Sequence, residues 1–283
     1  MSAGLRTRRL TAVGIRTRAL EVGPADAPEA VVFLHGHPGS AEDWSDLLPR
    51  VAGFTRGVAI DWPAFGQADR PPLGAWDFSA GTLATFLAGA LHELGIERAH
   101  LVMHDLGGVG VVWGAAHPRQ FGSAVLIDTG ILLDFRWHPV ARLYRAPGVG
   151  ELLALLTNRP AFRAFVRWYN PQPRELPQRY VDRWYDEYPL RTRRAILSFY
   201  RATPPAAMER LRDPLRKIDR PALVIWGAHD PAVPVEQAER QRESFPSAEV
   251  VVFPDSGHWP YLDDPQRTAE AVVPFLQRQV GTT

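Results

Sequence analysis

Asp105, Asp230 and His258 have the types and chain order needed for covalent hydrolysis through an ester. Asp105 lies in Leu101-Val-Met-His-Asp-Leu-Gly-Gly108, where strand-forming residues run into a polar pair and two glycines open a helix. That context is a sharp strand-to-helix turn that ordinarily displays a serine. A serine needs a partner to remove its proton before it attacks. A carboxylate, with a reference pKa of about 3.9, is ionised near neutral pH. Attack by a carboxylate on saturated carbon makes an alkyl ester, which water then cleaves. The expected substrates carry a strained ring or a leaving group on carbon, and are not ordinary esters.

His258, in Ser256-Gly-His258-Trp259, is the expected base: neutral, held by an acid, and taking a proton from water. Asp230, at the end of Trp226-Gly-Ala-His-Asp230, is the expected acid. Asp128, which follows Val125–Ile127, is the alternative. Two plainer readings compete with these roles. Asp105 would be a decayed serine in a non-catalytic scaffold, and His258 a cap on the last helix. His35, His37 and His104 read as loop-packing residues, and their spacing suits no metal.

Positioning these groups requires a sheet edge. Apolar runs bounded by turn signals predict strands at Val31–Leu34, Gly57–Ile60, His100–Met103, Ala124–Ile127, Leu223–Trp226 and Val250–Phe253. Alternation over Leu10–Val22, broken at Ala12-Val13-Gly14, predicts an opening hairpin. Helical patterns lie between most of these runs, at Phe78–Leu94, Gly107–Ala116, Val235–Phe245 and Arg267–Val280. Buried strands alternating with helices imply a mostly parallel sheet covered on both faces. Ligands bind beyond the carboxyl ends of such strands, where His35–Pro38, Asp61, Asp105, Asp128, Asp230 and His258 all fall. The rhythm breaks between about 134 and 214, a stretch rich in Arg, Trp, Tyr and Pro that predicts several short inserted helices. The expected division is a core of residues 1–133 and 215–283 and a helical cap of 134–214.

The 283 residues, 46% hydrophobic and 22% charged, suit a globular α/β domain with an insertion. No apolar run reaches the ~18 residues that cross a bilayer, and Met1–Leu10 lacks the apolar stretch of a signal peptide. With no cysteine, disulfides, thiolate metal sites and cysteine nucleophiles are excluded. A cytoplasmic protein without nucleic-acid or membrane partners is expected, its state open between monomer and homodimer. The net charge of +1 is uneven: 134–216 holds 16 arginines against 8 acidic residues, leaving the rest of the chain at −7. Either this basic cap steers anions, or the arginines solvate and bridge helical surfaces. Lys217 is the only lysine, a bias that reads as genome composition.

Over nearly its whole length the sequence resembles the aspartate-nucleophile branch of the α/β-hydrolases, which includes epoxide hydrolases and dehalogenases. The resemblance rests on His35-Gly-His-Pro38, Asp61-Trp-Pro-Ala-Phe-Gly66, His104-Asp-Leu-Gly-Gly108, the Asp230 turn and Gly257-His258. It implies an eight-stranded, mostly parallel sheet flanked by helices, a helical lid, and catalysis without cofactor or metal. It also implies that the backbone N–H groups of His37 and Leu106 form the oxyanion hole, beside a cis Pro38. Such preorganised donors are worth roughly 3 kcal/mol each.

The branches differ in the leaving group. Haloalkane dehalogenases resemble this chain but place a halide-holding Trp after the nucleophile and Asn or Glu after His-Gly, where Leu106 and His37 stand here. Fluoroacetate dehalogenases place arginines just after the nucleophile, where this chain has Leu106 and Val109-Gly110. Epoxide opening instead needs a phenol to protonate an alkoxide as it forms. Ser198-Phe-Tyr-Arg201 resembles the lid segment that presents one in epoxide hydrolases, which makes Tyr200 the candidate donor. Trp168, Tyr169 and Tyr144 are candidates for a second donor or for substrate contact, with Trp259 beside the base. The expected activity is epoxide opening on an apolar small molecule, with water as co-substrate. Dehalogenation is the alternative, and a non-hydrolytic binding or rearrangement role is a third reading.

Overall fold

The computed structural model describes residues 4–72, 74–170 and 176–282, so 171–175 of the expected cap lie outside it. Among the described residues one eight-stranded sheet is formed by β1 (Arg6–Ala12), β2 (Ile15–Val22), β3 (Glu29–Leu34), β4 (Arg56–Ile60), β5 (Arg98–His104), β6 (Phe121–Ile127), β7 (Ala222–Gly227) and β8 (Glu249–Phe253). The strand order is β1-β2-β4-β3-β5-β6-β7-β8. β2 runs antiparallel to both its neighbours, and the other pairings are parallel. β4, β6 and β7 are buried at every residue, as strands covered on both faces must be. The β1–β2 hairpin turns on Val13 and Gly14, both at positive φ, which matches the twist of the strands it joins.

The helices of the core are α1 (Ala80–Glu93) and α2 (Gly110–Ala116) before the insertion. Between β6 and β7 run α3 (Pro139–Arg145), α4 (Val149–Leu156), α5 (Arg159–Tyr169), α6 (Gln178–Asp186), α7 (Leu190–Ala202), α8 (Pro205–Glu209) and α9 (Arg212–Ile218). The chain closes with α10 (Glu236–Arg240), α11 (Pro260–Asp263) and α12 (Pro265–Gln279). No helix among the described residues is long and apolar enough to cross a membrane.

Four helices differ from the sequence expectation, α12 only by starting at Pro265 and ending at Gln279 instead of spanning Arg267–Val280. The Phe78–Leu94 pattern begins as helix only at Ala80, because Phe78 is at positive φ and the Ser79 hydroxyl caps the Thr82 N–H. Gly107–Ala116 is split: a 3-10 turn over Asp105–Val109 precedes α2 and turns the chain sharply after β5. Val235–Phe245 is also split, α10 tightening into a 3-10 turn at Gln241–Glu243.

Polar contacts hold the inserted helices on the core. Buried Asp43 accepts hydrogen bonds from Trp184 Nε1 (2.8 Å) and from the Arg183 guanidinium, both on α6. Thr192 Oγ1 on α7 donates to the Ala64 carbonyl (2.7 Å). The His258 N–H donates to the carbonyl of Tyr169 at the end of α5 (3.2 Å).

Candidate active site

β5 delivers Asp105 at φ +45°, the left-handed region that costs a non-glycine residue roughly 1 kcal/mol or more. Two neighbours enforce this turn. Thr129 Oγ1 donates to the Asp105 carbonyl (2.7 Å), and a Cβ on Gly107 would stand 2.1 Å from the Leu34 carbonyl oxygen. The turn therefore needs glycine at 107 to pass over the end of β3.

The Asp105 carboxylate has two unlike oxygens. Oδ2 accepts the His37 N–H (2.8 Å), and the Leu106 N–H also bonds the carboxylate. Oδ1 lies 3.9 Å from His258 Nε2. The side chain is 28% exposed and lines a cavity. Burial raises its pKa above the ordinary carboxylate value, against the opposing pull of His258 and the two N–H groups. His37 precedes a cis peptide at Pro38, and its ring Nε2 lies 2.7 Å from Tyr188 Oη, which fixes the loop.

His258 Nδ1–H donates to Asp230 Oδ2 (2.7 Å), and Asp230 Oδ1 accepts the N–H groups of Ala232 (2.7 Å) and Val233 (3.1 Å). Burial alone would lower the His258 pKa, but Asp230 and Asp105 outweigh it and hold the pKa above 6.5. Asp128 lies beside Asp230, with Oδ1 accepting the Gly227 N–H (3.0 Å). Burial first, and then the Asp230 charge, push the Asp128 pKa well above the carboxylate range. Of the two sequence candidates, Asp230 is the one bonded to the imidazole.

The cavity beyond Asp105 opens to solvent and has about 100 Å³ accessible to water. Core and cap both contribute to its apolar wall, through Leu106, Val109, Phe135 and Phe199 among others. Tyr200 and Tyr169 line it. Burial and the Asp105 charge hold the Tyr200 phenol well above 10. The Tyr169 phenol is likewise raised, by burial and then by Tyr200 and Asp105, and its Oη lies 2.8 Å from His138 Nε2.

Three expected contacts fall elsewhere. Trp168 is 39% exposed and points away, because consecutive residues on α5 are about 100° apart and Tyr169 takes the inward position. Tyr144 lies outside the cavity wall, its hydroxyl 3.5 Å from Thr157 Oγ1. Trp259 is fully buried against Trp184 (ring centroids 5.0 Å apart), and serves the cap–core joint. His35 and His104 pack loops, His104 Nε2–H donating to the His258 carbonyl (2.7 Å) and His35 Nε2 accepting the Trp62 N–H (3.1 Å). Sequence reasoning passed over His138, Trp137 and Tyr188. His138 had one local signal: it precedes Pro139, the residue favoured at a helix start.

A model of the alpha/beta hydrolase family matches residues 31–271. The chain belongs to that family. It is thus a hydrolase on the alpha/beta fold. The 2-hydroxy-6-oxononadienedioate/2-hydroxy-6-oxononatrienedioate hydrolase of Burkholderia vietnamiensis is 29% identical over 88% of each chain. Among solved structures, an epoxide hydrolase from Acinetobacter nosocomialis superposes with a TM-score of 0.81 over 96% of this chain and 89% of its own, at 20% identity. A loop variant of a haloalkane dehalogenase from Bradyrhizobium elkanii gives 0.82 over 96% of both, at 21% identity. At these identities the structural likeness shows the fold alone. The sequence relative bears the name of a dienedioate hydrolase, so the expected nearness to epoxide hydrolases is not what its name shows.

Proposed function

We propose that the protein opens epoxides to diols through an ester on Asp105. The reading is carried by the division of labour within one carboxylate: Oδ2 accepts the His37 N–H, the Leu106 N–H also bonds the carboxylate, and Oδ1 is directed toward His258. Oδ1 attacks a ring carbon, the carbon–oxygen bond breaks, and the emerging alkoxide takes a proton from Tyr200, assisted by Tyr169. Oδ2 becomes the ester carbonyl oxygen. His258, backed by Asp230, removes a proton from water, and the hydroxide adds to that carbonyl. The His37 and Leu106 N–H groups hold the oxyanion where Oδ2 already sits. Collapse releases the diol and regenerates the carboxylate, and the proton held by His258 returns to the Tyr200 phenolate, which closes the cycle. Esterification also removes the Asp105 charge, which adds to the larger pull of Asp230 in raising the His258 pKa, so the first step lowers that pKa for the second.

The dienedioate relative acts, by its name, on a doubly carboxylated 6-oxo compound. Two features argue against carrying that substrate over. No Arg or Lys lines the cavity among the described residues, and burial keeps its His37 neutral, at a pKa of about 3. A carboxylate that adds to a ketone is also the better leaving group of the adduct, so addition reverses. Dehalogenation is the second reading, favoured by Trp137: it lines the cavity, and its indole N–H, a halide donor, has no partner among the described residues.

Matched neutral epoxides and haloalkanes separate the readings. Diol formation that falls about 100-fold or more in Tyr200→Phe, with halide release slow throughout, is the expected result. Halide release that survives Tyr200→Phe and is lost in Trp137→Phe would establish the dehalogenase instead.

A further inference from the structure

Asp263 is a buried carboxylate that the proposed cycle does not use. It closes α11 and turns inward, while its neighbour Asp264 takes the capping role at α12 by accepting the Arg267 N–H (3.1 Å). A buried carboxylate is costly unless its oxygens are bonded, and these two oxygens are bonded to different parts of the molecule. Oδ2 accepts the Gly257 N–H (3.0 Å), in the loop that carries His258. Oδ1 accepts the side-chain amide of Asn170 (2.9 Å), the buried C-cap residue of α5. Asn170 also packs directly on Gly257, where an added Cβ would stand 2.2 Å from Asn170 Oδ1. The base loop thus lies against the end of α5 with no side chain between them.

We infer that Asp263 is a positioning residue for the base: by bridging Gly257 to Asn170 it sets the His258 imidazole against the Asp105 ester, and it makes that alignment depend on where the end of α5 sits. The inference rests on the reading of His258 as the base that opens the ester. The His258 ring is held by Asp230 at Nδ1, so the place from which it reaches Asp105 is set by its backbone. That backbone hangs between two supports. Its N–H donates to the Tyr169 carbonyl at the end of α5 (3.2 Å), and its carbonyl accepts His104 Nε2–H (2.7 Å), beside the nucleophile. Asp263 adds a third support one residue earlier. Two donors, a backbone N–H and a side-chain amide, converge on this point, and a carboxylate meets both because each of its oxygens only accepts. His258 Nε2 stands 3.9 Å from Asp105 Oδ1, and a displacement of about 1 Å in such an arrangement can cost about 100-fold in rate.

Hydrogen exchange of the parent and of Asn170→Ala, read amide by amide by NMR, tests the bridge without any substrate. The Gly257 and His258 amides are expected to exchange about tenfold faster in the variant, while those of β5 and α12 keep the parent rates. Unchanged exchange at the two amides, or the same acceleration throughout the protein, overturns the proposal. With an epoxide, rapid-quench single turnover separates the two chemical steps. Asn170→Ala and Asp263→Ala are expected to slow hydrolysis of the ester about tenfold and its formation less than about twofold, so that ester accumulates. Exchanging the two groups, Asn170→Asp together with Asp263→Asn, restores both bonds and is expected to return hydrolysis to within about threefold of the parent. Asn170→Asp alone opposes two carboxylates and should stay slow. Equal slowing of both steps, or no recovery in the exchanged pair, overturns the positioning role. If the parent protein turns over no epoxide, the functional reading fails, while the exchange measurement still decides for or against the bridge.

Discussion

Asp128 and Asp230 sit side by side, and only the charge on Asp230 is placed to serve His258. Asp230→Asn is expected to reduce turnover by roughly 10³–10⁴, since the amide cannot hold the imidazole in the required tautomer. Asp128→Asn should stay within a fewfold of the parent, because Asp128 bonds the Gly227 N–H and not the imidazole, and an amide oxygen accepts that bond equally well. Steady-state kinetics of the two variants checks this, and equal losses would contradict it. The His258 pKa gives a signed pH dependence. It lies above 6.5 in the free enzyme, held there by Asp230 and Asp105, so the step that needs neutral imidazole gains rate as pH rises. In the ester the Asp105 charge is gone. The pH midpoint of ester hydrolysis, followed by rapid quench, should therefore lie below the His258 midpoint read by NMR in the free enzyme. A flat profile would remove His258 from that step. That Asp105, His258 and the two acid candidates would meet at one sheet edge was legible in the sequence, because each follows an apolar run. The sequence favoured Asp230 over Asp128 only by its turn, since both end adjacent strands and side-chain direction separates them. His138 was invisible for a similar reason: its partner, Tyr169, is 31 residues away on another helix.

The turn after β5 and the joint at α6 carry the element-scale demands. Gly107→Ala would drive a methyl group into the Leu34 carbonyl, and is expected to cost about 1–3 kcal/mol, read from denaturant unfolding. Unchanged stability would mean that the strand end yields freely. Asp43→Ala strands the Trp184 N–H and the Arg183 guanidinium at the cap–core joint, for an expected loss of about 2–4 kcal/mol. A variant as stable as the parent would show that the cap is held by apolar contact alone. The order of strands and helices was readable because hydrophobic period and turn residues act locally. Helix ends were not. Phe78 adopts positive φ and Ser79 then caps α1, a backbone choice that the apolar periodicity through Phe78 conceals. Trp168 and Tyr169 show the same limit, since composition marks both as aromatic and only the phase of α5 decides which faces inward.

At the scale of the molecule, the basic insertion and the cation-free cavity point in different directions. Many cap arginines are occupied: Arg159 and Arg163 pair with Asp182, Arg201 with Glu151, and Arg193 bonds the carbonyls of Ala154, Thr157 and Tyr188. Surface pairing thus absorbs much of the charge that the sequence concentrates there, and no arginine among the described residues lines the cavity. Neutral apolar ligands are expected to inhibit or react at least tenfold better than carboxylated analogues of the same size, measured as kcat/KM or Ki. A preference for the anion would place a cation at the site. Fold and chemistry are thus joined by one arrangement: a sheet that ends in a carboxylate, and an apolar chamber, roofed by the inserted helices, that excludes competing charge.

In the proposed cycle Asp105 becomes bonded to substrate carbon and is released by water attacking its own carbonyl. A single turnover of excess enzyme with an epoxide in ¹⁸O-water, followed by mass analysis of the peptide that contains Asp105, tests it directly. One heavy oxygen retained in that carboxylate is the predicted result. Heavy oxygen found only in the diol, with Asp105 unlabelled, would mean that water attacks the substrate itself and would contradict the account.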